Sequence, residues 1–278
     1  MIIIDAGYLT VRSRYVFKNL HTSQGTPVGA IYGFLSTIKQ IRKNYPQEQI
    51  VVCLDSYSQW RANLSDRYKA ERESHKEGWM GSEKQKQHGF EKEMIKKIVS
   101  SVPNVIVIEA EGAEADDLIA ITASRNPGSI IFSADKDMWQ LTRFNARIAQ
   151  NIEKGKLVCL NYPKEFENIP PQNLALYRAI MGDAGDGIQK LPRVSTIEVQ
   201  AMARRCSTPG DLFENKEFKE TKSFQIINDN YTQLLVNYEL CKLPPDRGYY
   251  IERYEGTKEE ALELIERLEL YSMRGLLN

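Results

Sequence analysis

Ile50-Val51-Val52-Cys53-Leu54-Asp55 is the stretch on which the fold turns: five apolar residues in a row, then an acid. So short an apolar run reads as a buried strand. The same design recurs along the chain. Met1-Ile2-Ile3-Ile4 runs into Asp5, Val105-Ile106-Val107-Ile108 is a third run, and Ile130-Ile131-Phe132 leads into Ser133-Ala134-Asp135. Helical spacing lies between the runs. Ile31, Phe34, Leu35, Ile38 and Ile41 mark a helix from about Pro27 to Tyr45, which Pro46 ends. Glu114 to Arg125 reads as a second helix, with acids in its first turn where the helix dipole favours them. Two short strands are expected near 147–150 and 156–160, joined by a turn at Lys154-Gly155. Alternating strands and helices imply an α/β fold with a mainly parallel central sheet flanked by helices, over residues 1–162. From Pro163 to Asn278 only helical patterns are seen, which implies a helical second domain. Residues 59–97 are highly charged and poor in aliphatics. They read as a solvated excursion from the core, helical at both ends.

The 278 residues suffice for one large domain or two closely joined ones. No apolar run approaches the roughly 20 residues that span a bilayer, and no secretory leader is visible. The cysteines at 53, 159, 206 and 241 are scattered with no C-x-x-C pair, which argues against zinc and against a disulfide framework. A cytoplasmic protein without membrane contact is expected. Lys plus Arg total 37 and Asp plus Glu total 37, so the net charge is zero. That balance taken alone argues against a nucleic-acid binder. A cation-holding site packed with carboxylates would, however, offset basic surfaces elsewhere.

The acids carry the functional signal. Asp5 and Asp55 end strands, Glu114, Asp116 and Asp117 follow the third strand, and Asp135 and Asp137 follow the fourth. Functional groups of open parallel sheets gather beyond the carboxyl ends of the strands, so these acids are expected to converge. Asp183 and Asp186 come later, and periodicity alone does not bring them to the same place. Taken singly, an Asp after a strand is a turn or helix cap, and Asp-Asp at a helix start is a dipole device. The repetition is what distinguishes them. So many like charges cannot share a site uncompensated. Divalent cations resolve the repulsion, and oxygen ligands without His or Cys suit Mg²⁺ or Mn²⁺ rather than Zn²⁺. Two such ions roughly 3.5–4 Å apart activate water and stabilise the leaving oxygen in phosphodiester cleavage.

Gly112-Ala113-Glu114-Ala115-Asp116-Asp117-Leu118 resembles the G-x-E-A-D-D signature of the 5′-nuclease family. That family comprises flap endonucleases, the 5′-nuclease domains of bacterial DNA polymerase I and bacteriophage 5′–3′ exonucleases. Ser133-Ala134-Asp135-Lys136-Asp137 resembles its S-x-D-x-D segment, and Gly182-Asp183-Ala184-Gly185-Asp186-Gly187-Ile188 its G-D-x-x-D-N-I segment. Ile4-Asp5 and Leu54-Asp55 stand where the first two acids of the family would be, and the matches keep their order over residues 1–205. The short chain without a polymerase looks most like the phage enzymes. The resemblance implies a PIN-like core and two Mg²⁺ ions, replaceable by Mn²⁺. Asp5, Asp55, Glu114 and Asp116 would mainly serve one ion, while Asp117, Asp135, Asp137, Asp183 and Asp186 serve or surround the second. It implies cleavage to a 5′-phosphate and a 3′-hydroxyl, on DNA with a 5′ flap, a nick or a free 5′ end, or on an RNA–DNA hybrid. A role in phage DNA replication or repair, beside other replication proteins and as a monomer, is implied too.

By the same resemblance, residues 59–97 form a helical arch that admits a free 5′ end. Tyr68-Lys69-Ala70-Glu71-Arg72 resembles the Tyr-Lys-x-x-Arg of that region. Lys69 and Arg72 would contact the scissile phosphate, and Tyr68 would stack on a base. Arg12 stands where phage members carry an Arg and is a candidate phosphate ligand, with Arg61 and Arg67 as weaker candidates. Without the resemblance, these are ordinary solvated charges. No role is expected of His21, His75 or His88.

Past the last acids the family continues I-x-G-V-x-G-I-G, a helix–three-turn–helix that grips duplex backbone through glycine amides, often with a potassium ion. Here the segment of about 183–205 reads Ile188-Gln189-Lys190-Leu191-Pro192-Arg193-Val194-Ser195. Lys190, Arg193 and Ser195 replace the glycines, which puts the potassium site in question, because Gly serves close backbone approach and positive φ. Lys190 and Arg193 are expected to bind phosphate through their side chains instead, with Arg204 and Arg205 as helpers or as a salt-bridged helix surface. Gly187 replaces the usual Asn. Two rival readings remain at this stage: a non-catalytic DNA-binding replication accessory protein on the same fold, and a PIN-class ribonuclease. The complete acid set argues against the first, and the helical tail against the second. The absence of Gly-rich phosphate loops argues against a nucleotide-hydrolysing motor.

Overall fold

The computed structural model describes the backbone of residues 1–70 and 79–278, and the side chains of residues 1–70 and 83–278. Seven strands form one sheet: β1 (Ile2–Asp5), β2 (Ile50–Cys53), β3 (Val105–Glu109), β4 (Ile130–Phe132), β5 (Arg147–Glu153), β6 (Lys156–Cys159) and β7 (Glu252–Tyr254), in the order β6-β5-β4-β1-β2-β3-β7. The five central strands run parallel, and the two edges, β6 and β7, are antiparallel to their neighbours. The apolar runs form the centre because every residue of β1, β2 and β4 is buried. From β1 the chain moves one way to β2 and β3, and later the other way to β4 and β5. The order therefore reverses beside β1, and the crevice at the carboxyl ends of β1, β2 and β4 is the switch point where such sheets place their ligands.

Helices cover both faces. On one side, α1 (Ala6–Val16), α2 (Gly29–Asn44) and α4 (Trp79–Val99) pack over the sheet; α3 (Gln59–Leu64) lies near the rim. On the other side, α5 (Ala115–Arg125) shares its core with α6 (Leu174–Met181), α7 (Thr196–Ala203), α8 (Pro209–Glu214), α9 (Lys222–Asp229) and α10 (Tyr231–Cys241). No described helix is long and apolar enough to cross a membrane.

Two elements depart from the sequence expectation. Periodicity missed α1 because its inward face is small or polar: Ala6, Leu9, Thr10 and Ser13 are its buried residues. Close approach by α2 accounts for that choice, since a Cβ on Gly33 would lie 2.7 Å from Ser13 Cβ, and one on Gly29 would lie 2.0 Å from the Phe17 carbonyl oxygen.

The second departure corrects the expectation of helices alone after Pro163. β7 returns to the sheet and pairs Tyr254 with Val107. Its three residues, Glu252-Arg253-Tyr254, carry no apolar alternation, because a short charged strand is what an exposed edge tolerates. After it, α11 (Lys258–Arg267) and the final turns bury Ala261, Ile265, Leu268, Leu270, Met273, Leu276 and Leu277 in the same layer as α2 and α4.

Candidate active site

The crevice beside β1 collects the acids. Asp5 closes β1 and caps α1, its Oδ1 accepting from the Tyr8 amide at 2.9 Å and its Oδ2 from the Ser133 hydroxyl at 2.7 Å. Asp55, two residues past β2, accepts from the Ala115 amide at 2.8 Å. Gly7 sits between the two carboxylates: a Cβ there would meet Asp55 Oδ2 at 2.8 Å and Asp5 Oδ1 at 3.4 Å. Asp135 follows β4 and accepts from the Asp137 amide at 2.7 Å. Asp116 opens α5. Burial and the charges of Asp135 and Asp5 push its pKa well above the usual carboxylate range. Burial and the charge of Asp55 likewise push Asp5 up to about 6.

A second group adjoins the first. Oxygens of Asp137, Asp183 and Asp186 lie within 4.8 Å of one another. The loop after α6 delivers the last two. It folds back through paired hydrogen bonds of 2.8 Å between Asp183 and Ile188, and Gly182 at φ +76° lets Ile188 and Lys190 approach. Burial, offset in part by Arg178, pushes Asp137 up to about 7. Crowded, desolvated carboxylates that hold on to protons are what a divalent cation would relieve. The acids of both groups offer hard oxygens, and with a gap at Gly7 that a side chain would fill they fit Mg²⁺ or Mn²⁺. Asp5, Asp55, Asp116 and Asp135 would hold one ion, and Asp137, Asp183 and Asp186 a second.

Two of the expected ligands have other partners. Asp117 is fully buried, and both of its oxygens are engaged. It accepts from both Arg61 terminal nitrogens at 2.7 and 2.6 Å, from the Tyr249 hydroxyl at 3.1 Å and from the Glu114 amide at 3.1 Å. No oxygen of Asp117 faces the other acids unengaged. Arg61, 1% exposed, is therefore a structural counterion rather than a phosphate ligand. Glu114 accepts from the Lys69 ammonium and the Tyr68 hydroxyl, each at 2.8 Å. Burial alone would raise the Glu114 pKa, but Lys69 and Arg61 overcome it and hold the carboxyl below its usual range.

The cations on the rim fall into three groups. Lys69 reaches into the site at φ +53°, a costly left-handed conformation for Lys, and its amide donates to the Asp186 carbonyl at 2.9 Å. Burial would lower the Lys69 pKa, yet Glu114, Asp186 and Asp116 together raise it, so the ammonium stays charged. The Tyr68 ring faces the Lys69 ammonium at 5.0 Å. Arg12 donates to the Gln150 carbonyl and lies 6.0 Å from the Phe132 ring, which leaves it on the flank of the crevice. Arg67 is exposed beside a cleft of about 660 Å³ that Lys190 also lines. Lys190, Arg193 and Ser195 are all exposed. Arg72 and His75 lie outside the described residues.

A cavity of about 680 Å³ opens in front of the acids, between Asp55, Tyr68, Lys69 and Glu114 on one side and His88 and Lys92 of α4 on the other. Gly187 ties the Tyr68–Lys69 limb to the second acid group. At φ +72°, a Cβ there would lie 2.0 Å from the Arg67 carbonyl oxygen. The usual Asn could not make that approach. Three partners escaped the sequence reading. Ser133 stood inside a quoted motif, whereas Arg178 and Tyr249 gave no local signal, because their partners are distant in sequence or carried on a loop.

The family description "5′-3′ exonuclease, N-terminal resolvase-like domain" matches residues 1–167. The chain belongs to this 5′-3′ exonuclease family. It is 27% identical over 270 residues to a 5′-3′ exonuclease of Buchnera aphidicola subsp. Schizaphis graminum, covering 92% of this chain and 90% of that one. It is 25% identical over 280 residues to the thermostable DNA polymerase I of Thermus thermophilus, covering 98% of this chain and 32% of the polymerase. Among solved structures, a bacteriophage T5 flap endonuclease complex with DNA and metal ions superposes with a TM-score of 0.66 at 17% identity, covering 99% of this chain and 96% of the other. The catalytic core of Rad2 in complex with DNA gives 0.52 at 13%, covering 100% and 92%.

Two outcomes follow from the electrostatics. Asp117→Ala strands a buried guanidinium and should cost about 3–5 kcal/mol of stability in denaturant melts. Asp116→Ala, in the presence of EDTA, should cost nothing or stabilise, because it relieves repulsion. Equal losses would show that the Arg61–Asp117 pair carries no special share of the stability. The raised Asp5 pKa sets a pH trend as well. The folded state holds this proton above 3.8, so its contribution to stability is lost as pH rises from about 4 through about 6. In EDTA, thermal melts of Asp5→Asn should therefore gain on wild type across that window and then level off, and Mn²⁺ should reverse the order.

Proposed function

We propose that the protein is a structure-specific 5′-nuclease that hydrolyses phosphodiesters of DNA, or of RNA primers on DNA, near a 5′ flap, nick or free end. The observation that carries this reading is the meeting of two acid groups, from five separate segments, at the switch point of a parallel sheet, with Lys69 in the wall. Bound Mg²⁺ or Mn²⁺ would polarise the phosphate and activate water. The protein residues would do the rest. Asp5, Asp55, Asp116 and Asp135, with Asp137, Asp183 and Asp186, would fix the ions against the sheet edge. Ser133 and the Ala115 amide hold two of those carboxylates in orientation. Lys69 would turn from Glu114 to the scissile phosphate and stabilise the charge that builds there. Tyr68 would release Glu114 and offer its ring to a base. Arg72, which lies outside the described residues, would assist at the phosphate by the family resemblance alone.

Duplex binding would fall to the segment of about 183–205, a variant helix–three-turn–helix. Of the three positions where glycine is lost, Arg193 alone keeps the left-handed backbone, at φ +55°. A positive φ at Arg193 is consistent with such a turn without its glycine, and Lys190 and Arg193 are both exposed. That arrangement favours side-chain contacts to phosphate over an amide cradle with potassium.

Asp116→Asn should abolish Mg²⁺-dependent cutting of a 5′-flap substrate while leaving DNA affinity within a few-fold. Full activity in the variant would remove Asp116 from the chemistry, and no cutting by wild type on flap, nicked or RNA–DNA substrates would favour a non-catalytic binding protein. For the duplex grip, Lys190→Ala combined with Arg193→Ala should weaken binding evenly across sequences. The slope of log affinity against log salt should flatten by about two. An unchanged slope would place the grip elsewhere.

A further inference from the structure

We infer that Arg178 is a built-in counterion of the second acid group, which holds Asp137 and Asp183 together in the free protein and weakens the uptake of an ion there. The inference rests on the metal reading above and concerns a residue which that reading does not use. Arg178 lies in the last turn of α6, and its carbonyl accepts from the Gly182 amide at 2.7 Å, so the helix end and the acid-bearing loop are fixed to each other. Its Nε donates to Asp137 Oδ1 at 3.1 Å, and a terminal nitrogen donates to Asp183 Oδ2. The side chain is 14% exposed, so the pairing is shielded from water. The backbones on both sides are held independently. The Asp137 amide donates to Asp135 at 2.7 Å, and the Gly185 amide donates to Asp183 Oδ1 at 2.9 Å. Arg178 therefore draws together two carboxylates whose backbones are held without it.

The charge count gives the consequence. Asp137, Asp183 and Asp186 ionised carry three negative charges within 4.8 Å, and the guanidinium occupies oxygens of two of them. A divalent ion entering this group must take those oxygens from Arg178 or share them, and in either case meets a fixed positive charge in a poorly solvated place. The first group differs. Lys69, whose charge acts on Asp186 as well as on Asp116, pairs with Glu114 rather than with any acid of the first group. The two groups should accordingly differ in ion affinity, with the second weaker in the absence of DNA. A substrate phosphate would offer the guanidinium a replacement partner.

The test reads ion binding to the full chain without DNA. Mn²⁺ binding would be followed by calorimetry and by electron paramagnetic resonance for wild type, Arg178→Gln and Arg178→Lys. Wild type should bind one ion more tightly than the other. Arg178→Gln should tighten the weaker ion by about fivefold or more and leave the tighter one unchanged. In EDTA the same variant should melt at a lower temperature than wild type, with the loss recovered on Mn²⁺ addition. Arg178→Lys keeps the charge but not the fork, and should fall between the two. It also serves if the Gln variant does not fold. A weaker ion that binds equally or less tightly in Arg178→Gln, or less tightly in Arg178→Lys than in wild type, would overturn the inference. If wild type binds no ion, the metal reading itself fails, whatever the variants do.

Discussion

Repulsion among carboxylates is the constraint that organises this molecule. Asp5, Asp55, Asp116 and Asp135 are brought together by strand order, because β4, β1 and β2 are neighbours and their carboxyl ends share one edge. Each acid alone would be an unremarkable cap. Burial, and after it the charges of neighbouring acids, raises the pKa of Asp5, Asp116 and Asp137. A fold that keeps such a group has given up stability at the carboxyl edge of its sheet. The surplus lies in the apolar layers on both faces of the sheet, where β1, β2 and β4 are fully covered.

Three internal cations contain the repulsion, and each does so differently. Arg61 is locked: Asp117 holds it from two oxygens, and its ring neighbour Trp60 lies 4.4 Å away. That pair anchors α3 to the start of α5, and Tyr249 ties in the segment leading to β7. Lys69 is strained rather than locked, with a left-handed backbone imposed by its bond to the Asp186 carbonyl. Arg178 bridges two acids outright. Arg61 is scaffold, whereas Lys69 stands at the wall of the cavity. The buried pair is enclosed on all sides, while Lys69 meets its carboxylate at the wall of a cavity, as the proposed transfer to a phosphate would require.

The strands and α2 were legible because their signal is local: apolar runs of four or five residues, and a helical stripe of large aliphatics. The acids of the first group were legible for a related reason, since each follows a readable strand. What was hidden was non-local or small. The inward face of α1 is built from Ala6, Thr10 and Ser13, so no stripe appears. β7 is three charged residues at an edge. Asp116 and Asp117 are adjacent and identical in type, yet the helix turns them about 100° apart, one toward the acids and one toward Arg61. No single-sequence pattern separates the two, because the partner that decides the matter lies 56 residues away.

The segment past Asp186 shows the same logic on the binding side. Gly187 has no side chain because the Arg67 carbonyl occupies that space, which joins the limb carrying Tyr68 and Lys69 to the loop carrying Asp183 and Asp186. A few residues on, Arg193 bears the cost of a positive φ that a glycine would avoid. Glycine was thus kept where backbone meets backbone within the protein, and a cation was placed where the chain faces solvent. A backbone amide can cradle a phosphate only at contact distance, whereas an exposed guanidinium attracts one from farther away and tolerates a looser fit. If this segment grips duplex as proposed, the substitution would exchange shape for charge, in a protein whose 37 Lys and Arg are balanced by 37 Asp and Glu.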